Sequence, residues 1–445
     1  MKKYVFFLLP LILFGGCKNI TRPFNSNLAA DNKDVNAARS AHPNIILIVG
    51  DDIGYEVLSC NGGQSYQTPF LDDIAAKGVR YTECHACPLC SPSRVSLLTG
   101  KYNFRNYTAW GYLDPASNKT IGNMLQDQGY ATCYAGKWQL SGYDSSIHAL
   151  GWQKYSVWDP GDPLIAGSRY KNPHIYQDGN FLPDTAIVNK YGEDMFVDYI
   201  SSFMDTATKP YFIYYAMTLA HAPFSPTPDD AEFAAWDPND PGDPKFFPSM
   251  IKYMDKKMGE LLSIVRPNTY VIYVGDNGTP QEIHSLFNGV SVKGGKTKCT
   301  EYGTHVPLIL YRSGTMLSSI DTSLIDLTDF LPTLAKLANI PKPADYGKLD
   351  GTSFYPKKST RESIYYHYNP LTDKQNELTI WVQNSVYKKY DTTVRTVDSA
   401  KRGKFFNIRL DPNEQAPIKR QFETPEEKYI DSSFRATMRF YANQQ

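Results

Sequence analysis

The chain has 445 residues, 42% of them hydrophobic and 21% charged, an ordinary globular composition with no internal repeat or low-complexity tract. Its 46 basic and 46 acidic side chains cancel at pH 7, which argues against a broad nucleic-acid-binding or membrane-binding face and leaves a local basic pocket open. Length alone suggests two or three domains, although large α/β domains run longer than the average.

Residues 1–17 read as a targeting segment. Lys2 and Lys3 precede an apolar run from Tyr4 to Phe14 that is too short to span a bilayer and right for a signal core. The segment ends Leu13-Phe14-Gly15-Gly16-Cys17, which resembles a bacterial lipobox. Cleavage there leaves Cys17 as a lipidated N-terminus; an ordinary signal peptide cut nearby is the alternative. The expectation is an exported protein, held by its lipid alone on the periplasmic side of the outer membrane or at the cell surface. Residues 18–42 are polar, rich in Asn, Ala and Ser, and read as a flexible tether.

Ile45-Ile46-Leu47-Ile48-Val49 is a continuous apolar run of the kind buried in a parallel sheet, and it ends at Gly50-Asp51-Asp52. A helix-like segment follows at 68–77. Cys84, Cys87 and Cys90 then stand three apart, a spacing that suggests a metal or iron–sulfur site. No fourth ligand follows nearby, and Pro88 and Pro92 are unusual company for such a cluster. Pro92 and Ser93 instead suit the start of a helix that Val95-Ser96-Leu97-Leu98 continues. Residue 90 is thereby placed at a helix N-terminus, where unpaired N–H groups favour an anion, and Arg94, one turn on, can reach back to the same point.

Three more runs repeat the pattern of residues 45–52. Ala131-Thr132-Cys133-Tyr134, after a helix-like stretch at 120–128, ends at Ala135-Gly136-Lys137. Tyr211-Phe212-Ile213-Tyr214-Tyr215 runs on towards His221, and Tyr270-Val271-Ile272-Tyr273-Val274 ends at Gly275-Asp276-Asn277-Gly278. Four strands that deliver polar residues to one edge predict a doubly wound α/β fold, because ligands of open α/β sheets bind beyond the carboxyl ends of the strands. Asp51, Asp52, Asp276 and Asn277 supply hard oxygen donors, a set that suits Ca²⁺ or Mg²⁺. For Asp51-Asp52 alone, strand-end capping is an equal reading.

Cys90-Ser91-Pro92-Ser93-Arg94, followed by Leu98-Thr99-Gly100-Lys101, is similar position by position to the signature of the formylglycine-dependent sulfatases of the alkaline phosphatase superfamily. Gly136-Lys137-Trp138-Gln139-Leu140, Leu219-Ala220-His221-Ala222-Pro223-Phe224, the Gly-Asp-Asn-Gly at 275–278 and Lys296, five residues before Glu301, also resemble that family's pattern. So do the stretches 329–334 and 350–354. The resemblance covers roughly residues 43–355, the expected catalytic domain. Short strand-like runs at 363–367, 378–383 and 385–390, with the stretch 405–414, resemble the family's smaller C-terminal antiparallel-sheet subdomain, here 356–445.

The resemblance implies that Cys90 is converted by a sulfatase-maturing enzyme to formylglycine, an aldehyde whose hydrate is the nucleophile. It implies calcium held by Asp51, Asp52, Asp276, Asn277 and residue 90. Arg94, Lys137 and Lys296 would be cations of the site, and His221 would protonate the leaving group. The implied reaction is hydrolysis of a sulfate ester, on a sulfated saccharide given the expected export. Two departures stand out: Gln139 occupies the place of a histidine, and His305 that of an arginine before Val306-Pro307. Glutamine can hydrogen-bond but cannot take a proton near neutral pH. Competing readings are a phosphodiesterase or phosphonate hydrolase on the same fold, and a glycan-binding lipoprotein that has lost activity. Of seven cysteines, five remain once Cys17 is lipidated and Cys90 converted, so few disulfides or none are expected.

Overall fold

Five consecutive apolar side chains, residues 45–49, fix the centre of the molecule. In the computed structural model, which describes residues 42–161, 167–341, 344–370, 378–392 and 399–445, all five are fully buried in strand β1 (Asn44–Gly50). The signal segment, Cys17 and the tether fall outside the described residues, His42 excepted. Alternate side chains of a strand point to opposite faces. Ile45, Leu47 and Val49 accordingly enter one apolar core, and Ile46 and Ile48 another. Burying each such side chain contributes roughly 1.5–3 kcal/mol.

Helices α1 (Pro69–Lys77), α4 (Gly192–Thr206) and α5 (Phe247–Ile264) cover the face that holds Ile46 and Ile48. Helices α2 (Cys90–Thr99), α3 (Ile121–Asp127) and α6 (Phe330–Leu337) cover the other. The sheet between them includes β2 (Val79–His85), β3 (Ala131–Lys137), β4 (Lys154–Trp158), β5 (Tyr211–Ala216), β6 (Thr269–Gly275) and β7 (His305–Arg312). Across it the order runs β2-β7-β6-β1-β5-β3-β4. β6, β1, β5, β3 and β4 are parallel, and β7 runs antiparallel to both β6 and β2. The doubly wound, mostly parallel sheet is as expected. The four strands read from the sequence occupy its middle, so their carboxyl ends share one edge.

The smaller sheet is antiparallel throughout, with β8 (Ile364–Tyr368), β9 (Thr379–Gln383), β10 (Tyr387–Tyr390) and β11 (Phe405–Asn407) in that order. Helix α7 (Pro425–Ala442) packs on it through Phe434 and Met438. This sheet is tied into the main body. Arg361 pairs with Asp326 at 2.7 Å and with Asp329, Gln383 Nε2 lies 3.1 Å from His85 Nδ1, and Arg409 pairs with Glu83. Residues 41–445 make one compact unit. Among the described residues the six cysteines are free thiols, and no helix is long and apolar enough to cross a membrane.

Candidate active site

β1 ends in the two carboxylates that organise the edge. Asp52 has a left-handed backbone (φ 64°), a conformation aspartate tolerates better than most residues, and this turns its carboxylate beside that of Asp51. Its N–H donates to Asp276 Oδ1 at 3.0 Å, which locks the end of β1 to the end of β6. Asn277 Nδ2 donates to Asp52 Oδ1 at 2.8 Å. Asp51, Asp52, Asp276 and Asn277 are all fully buried.

The cations arrive from three other segments. Lys137, the last residue of β3, donates to both oxygens of Asp51 at 2.8 Å and is itself fully buried. Gly136 before it has φ 98°, and a Cβ there would lie 1.9 Å from the Ala216 carbonyl oxygen. Only glycine lets β3 lie this close to β5 and still aim Lys137 at Asp51. Arg94, in the second turn of α2, donates through Nε to Asp276 Oδ2 at 2.9 Å, with Nη2 3.5 Å from Asp51 Oδ1. It thus reaches the carboxylates, where the sequence had suggested the helix N-terminus. Lys296 Nζ donates to Asp52 Oδ2 at 2.6 Å and lies 2.9 Å from His221 Nε2.

His221 sits after β5 on a turn that Glu193 of α4 holds from below. Glu193 Oε1 accepts from Thr218 Oγ1 at 2.6 Å and from the Leu219 N–H at 3.1 Å. The imidazole Nδ1 lies 2.6 Å from the Ala222 carbonyl, which requires a donor, so Nδ1 carries hydrogen and Nε2 faces the site. Cys90, the first residue of α2, is 2% exposed, with Sγ donating towards Gln139 Oε1 at 3.7 Å. Gln139 therefore does stand beside the expected nucleophile, in the place where the family pattern has its histidine.

Charge in this buried site is strongly redistributed. Burial would raise Asp51, but Lys137 and Arg94 hold its carboxyl far below the usual carboxylate range. Burial pushes Asp276 up to about 6 against the pull of Arg94. Burial lowers His221 to about 3 despite Asp52 and Asp51. The Cys90 thiol is pushed up, chiefly by burial.

The donor set fits a hard divalent cation. Ligand atoms of Asp51, Asp52 and His221 lie within 4.8 Å of one another, and Asn277 Oδ1 is buried without a hydrogen-bond partner. An unsatisfied amide oxygen beside buried carboxylates is what a cation would complete. Cys84 and Cys87 form no part of a metal-capable group among the described residues, so the three-thiol cluster does not assemble. One functional candidate escaped the sequence altogether. Arg169 stacks on Trp158 with its guanidinium carbon 3.9 Å from the ring centre, and its Nη1 lies 3.8 Å from Asp51 Oδ2. No motif spacing marks it, and only the fold brings it to the edge.

Residues 43–340 match the Sulfatase family model, and the chain belongs to that family of sulfuric ester hydrolases. It is 28% identical over 392 residues to arylsulfatase G of Rattus norvegicus, covering 74% of this chain and 72% of that one. To N-acetylgalactosamine-6-sulfatase of Mus musculus it is 27% identical over 459 residues, 89% of this chain and 85% of that one. The solved structure of Ps i-CgsB in complex with k-i-k-neocarrahexaose superimposes with a TM-score of 0.73 at 20% identity, covering 90% of this chain and 92% of that one.

Proposed function

We propose that the protein is a calcium-dependent sulfatase of sulfated carbohydrate, exported and lipid-anchored through Cys17, whose nucleophile is made from Cys90. The observation that carries this reading is the convergence of Arg94, Lys137, His221 and Lys296 on two adjacent carboxylates beside Cys90. A decayed binding protein has no reason to keep so many buried charges balanced, since each is costly without its partners.

Asp51, Asp52, Asp276 and Asn277, with residue 90, would hold the calcium. Calcium, when bound, supplies Lewis-acid charge to a sulfate oxygen, and formylglycine, when formed, supplies a hydrated aldehyde hydroxyl as nucleophile. Lys137 and Lys296 place ammonium groups where charge develops on the sulfuryl oxygens. His221 is fixed by the Ala222 carbonyl so that its bare Nε2 faces the leaving oxygen, and the Lys296 ammonium, 2.9 Å from Nε2, supplies the proton that this atom passes on. Gln139 orients by hydrogen bonding and moves no proton.

The carbohydrate assignment draws on the expected export and on the oligosaccharide bound by Ps i-CgsB. The deciding experiment sets matched sulfate and phosphate esters side by side, using chain coexpressed with a sulfatase-maturing enzyme. Sulfate esters should be turned over, peptide mass spectrometry should show loss of the thiol at Cys90, and Cys90→Ala should abolish turnover. Full activity from unmodified Cys90, or preference for the phosphate ester, would overturn the reading.

A further inference from the structure

Arg169 belongs to two places at once. On one side its Nη1 approaches Asp51, and that nitrogen is buried with no hydrogen-bond partner. On the other, the residue lines a cavity of about 210 Å³, walled also by Ser168, Lys171, Ser225, Trp236 and Asn239. The cavity adjoins the catalytic edge directly: Tyr170 Oη lies 2.8 Å from the Thr218 carbonyl oxygen and 2.5 Å from that of His221.

The lining is electrostatically one-sided. It holds two cations, Arg169 and Lys171, and no Asp or Glu. Lys171 is only 7% exposed. Its ammonium donates to the carbonyl oxygens of Ala234 and Trp236, each at 2.8 Å, which uses two of three N–H groups. Among the described residues no carboxylate pairs with it. Ser225 Oγ is buried beside these cations and also lacks a partner. Arg169 has Asp51 at 3.8 Å, but a buried ammonium with no carboxylate partner, as at Lys171, is costly to a folded chain, so such a lining suits a site that an anion completes. Trp236 adds an aromatic ring and Asn239 an amide, groups that suit a sugar's C–H face and hydroxyls.

We propose that this cavity is a subsite for a second anionic substituent, a sulfate or a carboxylate, on the saccharide whose ester is cleaved. The substrate class narrows to polyanionic glycan. The proposal rests on the sulfatase reading for the identity of the cleaved bond, but not for the binding preference itself.

The test is calorimetric binding to the Cys90→Ala chain, which needs no turnover. Three matched probes are used, on galactose and on glucosamine: one sulfate ester, that ester with a second sulfate, and that ester joined to a uronic acid. The doubly anionic probes should bind more tightly, and the two of them distinguish sulfate from carboxylate as the partner. Lys171→Gln should weaken the doubly anionic probes by about 10- to 100-fold while the single ester is nearly unaffected. Lys171→Arg should restore the preference, which a merely structural role would not require. Equal affinity for all probes in the parent chain, or an equal loss on all of them in Lys171→Gln, would overturn the proposal. Failure of the sulfatase reading shows separately, as no hydrolysis of any sulfate ester by the matured chain.

Discussion

At the scale of single residues, His221 and Gln139 can be told apart by the leaving group. A sugar alkoxide is a poor leaving group and needs a proton, whereas an activated aryl oxide needs much less help. His221→Ala should therefore lower kcat/KM on sugar sulfates by about 10²- to 10⁴-fold and on an activated aryl sulfate far less. Gln139→Ala should slow both substrates modestly, since it removes one hydrogen-bonding neighbour of residue 90. Steady-state kinetics on the two substrate classes checks both, and an equal loss on each in the His221 variant would falsify its role as acid. His305 departs from the family pattern in a way that stability measurements can read. Its ring stacks on Tyr55 and His85, with Nδ1 3.0 Å from Glu301 and Nε2 2.9 Å from the Thr82 carbonyl. Burial alone would lower the imidazole, but Glu301, Glu83 and the Thr82 carbonyl lift it above its ordinary 6.5. The stability this contributes is complete below about 6.5 and is lost as pH rises through the higher folded value. Denaturant titrations should show stability falling across that window, and His305→Arg should flatten the fall. The carboxylates, Lys137 and His221 were legible because they follow buried runs. Arg169 was not, because it lies in an irregular segment and its approach to the site depends on Asp51, far away in sequence.

At the scale of elements, legibility followed the continuity of the apolar pattern. β1, β3, β5 and β6 are unbroken apolar runs because helices cover both faces of the sheet. β2 mixes polar and apolar residues (Val-Arg-Tyr-Thr-Glu-Cys-His) and did not declare itself. α7 was missed for a related reason: most of it is exposed and polar, although Pro425 in its first turn and the reciprocal Thr424–Glu427 cap mark its start. The ends of the strands carry the sharper expectations. Asp51 is shared by β1's end, Lys137, Arg94 and Arg169, so Asp51→Ala leaves buried cations unpaired and removes a ligand. That variant should lose both bound calcium, measured by elemental analysis, and sulfatase activity; stoichiometric metal with normal rates would rule the site out. Gly136→Ala places a methyl against the Ala216 carbonyl in a left-handed conformation. A cost of about 1–3 kcal/mol is expected from denaturant midpoints, with activity falling as Lys137 is displaced from Asp51.

At the scale of the whole molecule, the net charge of zero conceals a strongly uneven interior, with cations gathered at one edge of one sheet. A net charge of zero argues against attachment through a broad basic face, so the proposed membrane attachment should depend on lipid at residue 17. Cys17→Ser should release the protein into the soluble periplasmic fraction; unchanged fractionation would point to a plain signal peptide. Cleavage to a multiply acylated cysteine gives firm anchoring, because each buried methylene adds about 0.8 kcal/mol.

The burial of Cys90 also imposes a timetable. In the folded chain its side chain is 2% exposed, beneath Gln139 and at the meeting point of α2 with the strand ends. A separate enzyme must bring its own catalytic groups to the thiol, and a side chain buried this deeply, though a small sulfate group can reach it past the partly exposed His221 and Lys296, gives a protein-sized catalyst no approach. On the proposed chemistry, conversion therefore has to happen while residues 84–101 are still an accessible peptide. Maturation and folding become competitors in time: a chain that folds first is locked into its unmodified form. Purified, already folded chain should accordingly resist the maturing enzyme, while the same chain presented unfolded should be converted.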